Sequence, residues 1–511
     1  MNLPENILES NTRLSQSILW KLQHDAYSQF GIDAWRKHGV PAYITSNSYT
    51  AKKYAQVVLG YVRDCVARSA IELAHPIYLL DLGAGTGRFA YFFLQELTQL
   101  LAASSLPKIK LCYVMTDIVS SNIDFWQEHP YLKPYFEQGI LDCAYYHHAQ
   151  HDPIHLLNRN QTLSKESLIN PLILVCNYFF DTIPQDLFRY KDGHLEEGRI
   201  TLFVEDEEPV TLDPTVINRL RYRYSYQPIS SSQPYYENNA LNVLLESYAH
   251  MAEGCSFLFP VGALQALSMW MQWSQARLLL LAGDQGVCTA AQICQLGEPK
   301  LSLHGSFSFP VSYQLIVDFF GQHDGLTCLT SFPDSTFVVM AGVLGLTNAP
   351  ETLLAFEEHI DSFEPTDYFR FVSLTENEWK NPPLDHILLL IKLGNWDASV
   401  LLTFFAAIRQ ALPSASEEQK KMLCATIERV WEHFYPIGPI AGDFVLNLGV
   451  LLFEMQCFIE AKTYFERSML IAGVNAAALK NVAACHQMLG QLEEAKVYRQ
   501  QAALLIAPDS H

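Results

Sequence analysis

Cationic residues are scarce in this chain. Lys and Arg number 34 against 54 Asp and Glu, a formal net charge of −20, and no run of Lys or Arg reverses the sign locally. A chain this acidic repels phosphate backbones before any specific contact forms, so general nucleic-acid binding is excluded and a neutral, small or basic partner is favoured. Long apolar runs are missing too. A membrane-spanning helix needs roughly 18 apolar residues; the nearest run, Thr336 to Leu346, falls short and reads as a buried strand. The opening Met-Asn-Leu-Pro-Glu-Asn-Ile-Leu-Glu-Ser has neither the basic start nor the apolar core of a secretory signal. The eleven cysteines include no C-x-x-C pair, which argues against a structural zinc site. Cys112, Cys143 and Cys176 sit in apolar, strand-like runs, where free thiols behave as small hydrophobes. The expectation is a soluble cytoplasmic protein in a reducing compartment, without a membrane or nucleic-acid partner. Its oligomeric state is left open.

The 511 residues are 49% apolar and 17% charged, enough for sizeable cores in two to four domains. Residues 12–40 have amphipathic helical spacing, and Tyr49 to Ala74 has it again, closed by His75-Pro76. From Ile77 onward strands and helices alternate. Strands are expected at Ile77–Leu82, Ile109–Met115, Gly139–Ala144 and Leu172–Cys176, with helices over Arg88–Leu101 and Ser121–His129. Nearly continuous apolar strands alternating with helices indicate a parallel sheet covered on both faces. A hairpin follows over 187–204, turning at Lys191-Asp192-Gly193. An insertion over 205–275 carries helices near Ala240–Ala252 and Val261–Arg277 and an aromatic stretch from Tyr222 to Tyr236. Arg277–Ala282 supplies a fifth strand, and Leu326–Leu346 two more, split by Pro333-Asp334. The fold class expected is α/β: a Rossmann-like seven-stranded domain over 76–348, behind a helical segment and lid over 1–75.

Beyond 350 the spacing is helical throughout. Two segments align at a 34-residue offset: Leu448-Gly449 with Val482-Ala483, Ala461 with Ala495, and Ser468 with Ala502. The second ends at Ala507-Pro508, and Leu388 to Ala407 reads as a more degenerate unit. This region, 350–511, resembles tetratricopeptide repeats, whose small residues let antiparallel helices pack closely. An ordinary helical bundle is the alternative. The resemblance implies a surface for a protein partner.

The chemistry-bearing segment is Leu80-Asp81-Leu82-Gly83-Ala84-Gly85-Thr86-Gly87-Arg88-Phe89. A strand, a glycine-rich turn and a helix bring backbone N–H groups and a positive dipole end to the top of a parallel sheet. The nicotinamide fingerprint G-x-G-x-x-G is not met, since Arg88 takes the place of the third glycine, and no Gly-Lys-Ser/Thr marks a P-loop. A zwitterionic methionine moiety fits better: Asp81 for its ammonium group, the glycine N–H groups for its carboxylate. Thirty residues beyond Gly87, Asp117 ends the second strand and can accept from two ribose hydroxyls. Asp142 in the third strand is placed to accept from an adenine amino group. Together Asp81, Gly83, Gly85, Gly87, Asp117 and Asp142 point to S-adenosylmethionine.

That ordered set resembles the class I methyltransferases. A narrower resemblance is to the MidA-like family, which comprises mitochondrial complex I assembly factors and bacterial relatives. It is carried by Tyr43-Ile44-Thr45-Ser46, by Tyr54-Ala55-Gln56-Val57-Val58, and by Asn177-Tyr178-Phe179-Phe180-Asp181-Thr182-Ile183-Pro184, which looks like the family's Asn-Glu-Phe-Phe-Asp-Ala-Leu-Pro. The run Arg277 to Asp284, followed by Gly305 to Phe320, is a fainter match, and the whole covers about residues 15–345. The resemblance implies methyl transfer to a protein, with arginine as acceptor in the mitochondrial branch. It places Asn177 opposite the methyl group, Asp181 as proton acceptor or cation holder, and Thr45 in a segment that closes over the cofactor. Tyr178 departs from the pattern by replacing an acid, which leaves Asp181 as the main carboxylate there. A helix cap is the plainer role for Asp181. His147, His151 and His155 have helical spacing, but Pro153 interrupts the helix, so no metal is expected. Three functions stay open: a protein methyltransferase, a catalytically idle cofactor-binding scaffold, and a small-molecule methyltransferase.

Overall fold

The computed structural model describes residues 4–149, 152–206, 212–229, 233–249, 251–331, 337–379, 381–438 and 441–505. The chain forms two compact units that divide between Thr366 and Asp367.

The first unit is built on a sheet of seven main strands: β1 (Ile77–Leu82), β2 (Leu111–Asp117), β3 (Leu141–Tyr145), β4 (Leu172–Asn177), β5 (Leu278–Val287), β6 (Leu326–Leu329) and β7 (Phe337–Leu344). Their spatial order is β3-β2-β1-β4-β5-β7-β6. The first five are mutually parallel, and β7 runs antiparallel to both β5 and β6. This is the Rossmann-like sheet that the alternation of strands and helices predicts. All six residues of β1 are buried, as a central parallel strand covered on both faces requires. Leu80, Val114, Leu174 and Leu280 share one face with Trp270 and Phe320. Their neighbours Leu79, Tyr113, Ile173 and Leu279 point the other way and are equally buried. The helix Arg88–Ala103 packs against the helix Ser48–Ala67.

Strand order reverses at β1. The chain runs β1, β2, β3 to one side and then places β4 on the other. Ligands of open α/β sheets bind at such a switch, outside the carboxyl ends of the strands. Asp81 and Asn177 stand at those ends, and Asn177 pairs with Gly283 of β5.

A second, antiparallel sheet was only partly legible. The hairpin Asp186–Lys191 and His194–Glu205 turns at Asp192-Gly193 as predicted, both with positive φ. Its other strands are Glu5–Arg13, Arg221–Pro228 and Ser256–Phe259. Residues 5–13 are therefore a strand, paired with 199–205. The expected helix over 12–40 shortens to Ile18–Phe30 and Asp33–Arg36. The expected helix Tyr49–Ala74 ends at Ala67. Inside the insertion the helices are Asn239–Ser247 and Val261–Trp273. Pro333-Asp334 lies outside the described residues.

The boundary near 350 moves. Helix Pro350–Phe356 belongs to the first unit because it docks on Ser48–Ala67. Asp64 accepts from the Thr352 backbone N–H at 2.8 Å and its hydroxyl at 2.7 Å. Gly60 makes the approach possible: a Cβ there would stand 2.5 Å from the Glu351 carbonyl oxygen. The cysteines also differ from expectation. Cys255 and Cys294 form a disulfide, while nine others are free. The bridge joins residues 39 apart, a separation that spacing alone does not reveal.

In the second unit, helices Ala441–Glu454, Phe458–Ala472, Ala476–Met488 and Leu492–Leu504 pack each on the next. The small residues matched at the 34-residue offset are buried: Ala461, Ser468, Ala483, Ala495 and Ala502. A Cβ on Gly449 would lie 2.6 Å from the Phe465 ring. Ala507-Pro508 lies outside the described residues. No described helix is long and apolar enough to cross a membrane.

Candidate functional site

The glycine loop is shaped by its backbone. Gly83, Gly85 and Gly87 have φ of 74°, 55° and 72°, a region costly for side chains with a Cβ. The backbone N–H groups of Gly83 and Ala84 donate to the Thr116 carbonyl at 3.1 and 2.9 Å, tying the loop to β2. Gly85 is enclosed by two tryptophans. Trp126 Nε1 donates to its carbonyl at 2.9 Å, and a Cβ on Gly85 would meet the Trp35 ring at 3.0 Å. Gly87 precedes the first turn of Arg88–Ala103.

Two cavities open beside this loop and share Gly83, Tyr27, Trp35, Tyr178 and Thr182. The first is lined by Thr45, Asp81, Gly83, Gly85, Asn177 and Asp181, so six of the nine singled-out residues converge on one space. The second is lined by Asp117, Ile118, Tyr146, His147 and His148. Gly87 is the cap residue of the helix start and lines neither cavity.

Asp81 is 3% exposed and accepts from the Tyr113 hydroxyl at 2.7 Å. Burial raises its pKa to about 7, and the tyrosine bond offsets part of that rise. Asp117 accepts from the Val119 N–H and from Asn122 Nδ2, each at 3.0 Å. Burial raises it to about 6. Both acids line a cavity and keep lone pairs for a further donor. Thr45 is placed by a clamp: Asn47 Nδ2 donates to the carbonyls of Tyr43 and Ile44 at 2.6 and 2.9 Å. Its Oδ1 accepts from the Thr50 N–H at 2.8 Å, capping Ser48–Ala67.

Asp142 is elsewhere. Its carboxylate is fully buried and accepts from the N–H groups of Cys143, Asn158 and Arg159 at 2.8, 2.9 and 3.1 Å. It lines neither cavity beside the loop. The structure does not bring it to the space that the glycine loop faces; instead it closes the chain that returns after β3. Asp181 also corrects an expectation. A single 3-10 turn, Phe180–Thr182, follows β4, and the chain then enters the strand at Asp186. No helix begins there for Asp181 to cap. Instead its carboxyl group hydrogen-bonds that of Asp284 in β5. Burial and the Asp284 charge push Asp181 well above the carboxylate range. Asp284 rises to about 6, chiefly through burial, and accepts from the Tyr313 hydroxyl at 3.0 Å.

Asn177 Oδ1 accepts from the Tyr54 hydroxyl at 3.0 Å. Gly283 leaves room for that bond, since a Cβ there would stand 2.8 Å from the tyrosine oxygen. Tyr178 has φ of 51° and donates its N–H to the Gly283 carbonyl at 2.8 Å. Its ring packs 5.3 Å from Phe337.

Sequence reading missed Tyr27, Trp35, Asp284 and Tyr313. The first two lie in a helical segment with no motif, and the others gain meaning only from their neighbours across the sheet. The tyrosines of 222–236 line neither of these cavities. Tyr224 donates to the Pro299 carbonyl at 3.0 Å, and Tyr235 and Tyr236 lie against Arg13. His147 lines the second cavity, His155 lies on the short strand Ile154–Leu156, and His151 is outside the described residues.

Chemically, the loop offers N–H groups and a helix start to an anionic group. Asp81 and Asp117 offer acceptors to an ammonium group and to hydroxyls. No protein-family model matches the chain, and no curated protein matches it. Among solved structures it is similar to a COG1565 superfamily member from Burkholderia thailandensis bound to S-adenosyl-homocysteine. Identity is 11% and the TM-score 0.43, over 67% of this chain and 90% of that one. It is also similar to magnesium protoporphyrin IX methyltransferase from Synechocystis PCC 6803 with bound SAH. Here identity is 12% and the TM-score 0.28, over 63% of this chain and 98% of that one. At these values the fold rests on the strand order itself, β3-β2-β1-β4-β5-β7-β6, with the glycine loop at its switch point.

Proposed function

We propose that the chain is an S-adenosylmethionine-dependent methyltransferase acting on a protein side chain. One observation carries the reading: the glycine loop and the ends of β1 and β4 meet on a single cavity, with Asp81, Asn177 and Asp181 in its wall. The residues present fit the cofactor. A Cβ at Gly83 or Gly85 would press on the Phe179 and Trp35 rings that bound the loop, so the glycines keep this wall open. Asp81 would hold the ammonium group, the glycine loop the carboxylate, and Asp117 the ribose hydroxyls, with Thr45 in a covering segment. When bound, S-adenosylmethionine supplies a methyl group already activated on a sulfonium, so the chain's own task is proximity and alignment. Asn177 and Asp181 position the acceptor. The second unit resembles tetratricopeptide repeats and recruits the protein partner. We assign the enzyme to the cytoplasm on its nine free thiols, while the Cys255–Cys294 bridge argues the other way.

The test is native cell extract incubated with methyl-labelled S-adenosylmethionine and the purified protein. A labelled protein band is expected. Label confined to small molecules would redirect the acceptor class. Cofactor binding by calorimetry without any transfer would leave the scaffold reading, which Tyr178 in place of an acid favours.

A further inference from the structure

Nine cysteines are free thiols, and two of them touch within the second unit. Cys424 Sγ lies 3.7 Å from Cys457 Sγ. Cys424 sits midway along the helix Glu417–Glu432, and Cys457 caps the start of Phe458–Ala472. Both are half-buried, so a small reagent reaches them, whereas Cys65, Cys112, Cys143, Cys176 and Cys485 are buried. The two sulfurs need to approach by only ~1.7 Å to reach bonding distance, within the swing of two Cβ–Sγ bonds.

The contact is built into the way the two helices meet. Residues seven apart share one face of a helix to within about 20°. Trp431 follows Cys424 by that spacing and Tyr464 follows Cys457 by it, and the Trp431 and Tyr464 rings pack 5.7 Å apart. The helices therefore lie side by side and point the same way, with the cysteines at one contact and the aromatic rings at the next. The Arg467 guanidinium holds the second contact, 4.6 Å from the Trp431 ring and 4.9 Å from the Tyr464 ring. Among the described residues no group of three or more His, Cys, Asp or Glu could hold a metal ion, so the chemistry of the pair is that of a dithiol. Going beyond the methyltransferase reading and independently of it, we propose that Cys424 and Cys457 are a redox modification site. A small-molecule disulfide oxidises them to a bridge that staples Glu417–Glu432 to the repeat-like helices.

The exchange takes two steps. Cys457 Sγ attacks one sulfur of the reagent, its proton leaves with the departing thiol, and a mixed disulfide stands on Cys457. Cys424 Sγ then attacks the Cys457 sulfur, and its proton leaves with the second departing thiol. One S–S bond forms in the chain and one breaks in the reagent. The two cysteines together give up two electrons, and the reagent is reduced to two thiols. The order follows from the surroundings of Cys424. Burial raises its pKa, and the Cys457 thiol and the charges of Glu460 and Glu428 raise it further. A thiol held in this way keeps its proton, which makes Cys457 the first nucleophile.

The test incubates the reduced full chain with glutathione disulfide at pH 8, alkylates the remaining thiols and maps the peptides by mass spectrometry. A Cys424–Cys457 cross-linked peptide is the expected product; the Cys255–Cys294 bridge gives peptides of its own and is scored apart. Two alkylated cysteines, or glutathione left on either one in the wild type, would overturn the proposal. C424S should stop with glutathione on Cys457, because no thiol remains to resolve it; an unmodified Cys457 in this variant would overturn the order of the steps. Hydrogen exchange reads the staple. Amides in the middle of Glu417–Glu432 should exchange roughly tenfold more slowly in the oxidised wild type than in the reduced, and C457S should show no such change. Equal rates in the oxidised and reduced wild type would mean that the bridge restrains nothing, and the staple would fall.

Discussion

The site contains two sets of buried aspartates, and they behave differently. Asp81 and Asp117, at β1 and β2, are each held singly by neutral donors from the protein. Asp181, in the turn after β4, and Asp284, within β5, hold one another. The first arrangement leaves two separate acceptors for a cationic or hydroxylated ligand. The second creates one shared proton beside a cavity wall. Residue type and burial are alike in both; the number of carboxyl groups within hydrogen-bond reach decides whether the site binds charge or handles a proton.

The sharpest way to break the contrast is to remove the loop that gives the first set its ligand. Gly85→Val places a Cβ 3.0 Å from the Trp35 ring at a φ of +55°. Left-handed strain and overpacking each cost about 1–3 kcal/mol, and affinity for S-adenosylhomocysteine should fall by roughly 100-fold or more. The β1 core lies below the loop, so the fold should survive. Unchanged affinity in calorimetry would separate the loop from the ligand.

Asp142 sharpens the comparison from outside it. Three backbone N–H groups depend on its carboxylate. Asp142→Ala should lower stability to denaturant by about 3 kcal/mol and leave S-adenosylhomocysteine affinity within a few-fold at a temperature where the variant stays folded. A large affinity loss in folded protein would restore the adenine role. The mismatch illustrates what the sequence makes legible. Strand order, the glycine loop and the placing of Asp81 and Asn177 follow from local pattern, because each lies beside its own strand end. The functions of Asp142, Asp181 and Asp284 do not. Asp142 is consumed by residues 158–159, and Asp181 meets Asp284 across 103 residues of chain. The strand Glu5–Arg13 was missed for the same reason: its partner lies about 200 residues away, so nothing local selects extended backbone over helix.

The smallest effect is the most specific to the first set. Burial holds Asp81 at about 7 in the unloaded protein. Its folded pKa is thus raised above the ordinary value near 4. The stability it contributes is complete below that ordinary value and is lost as pH rises through 7, so the unloaded protein should soften over this range. A ligand ammonium group beside Asp81 favours the carboxylate and expels its proton. Titrating S-adenosylhomocysteine at pH 6 in two buffers of different ionisation enthalpy should therefore register release of up to about one proton, shrinking toward zero above pH 8. D81N should abolish most of the release, and D284N should change it little, because that proton belongs to the acceptor end. Equal release in D81N and wild type would mean that the ligand does not meet Asp81, and the separation of the two carboxylate sets would fail at its first member.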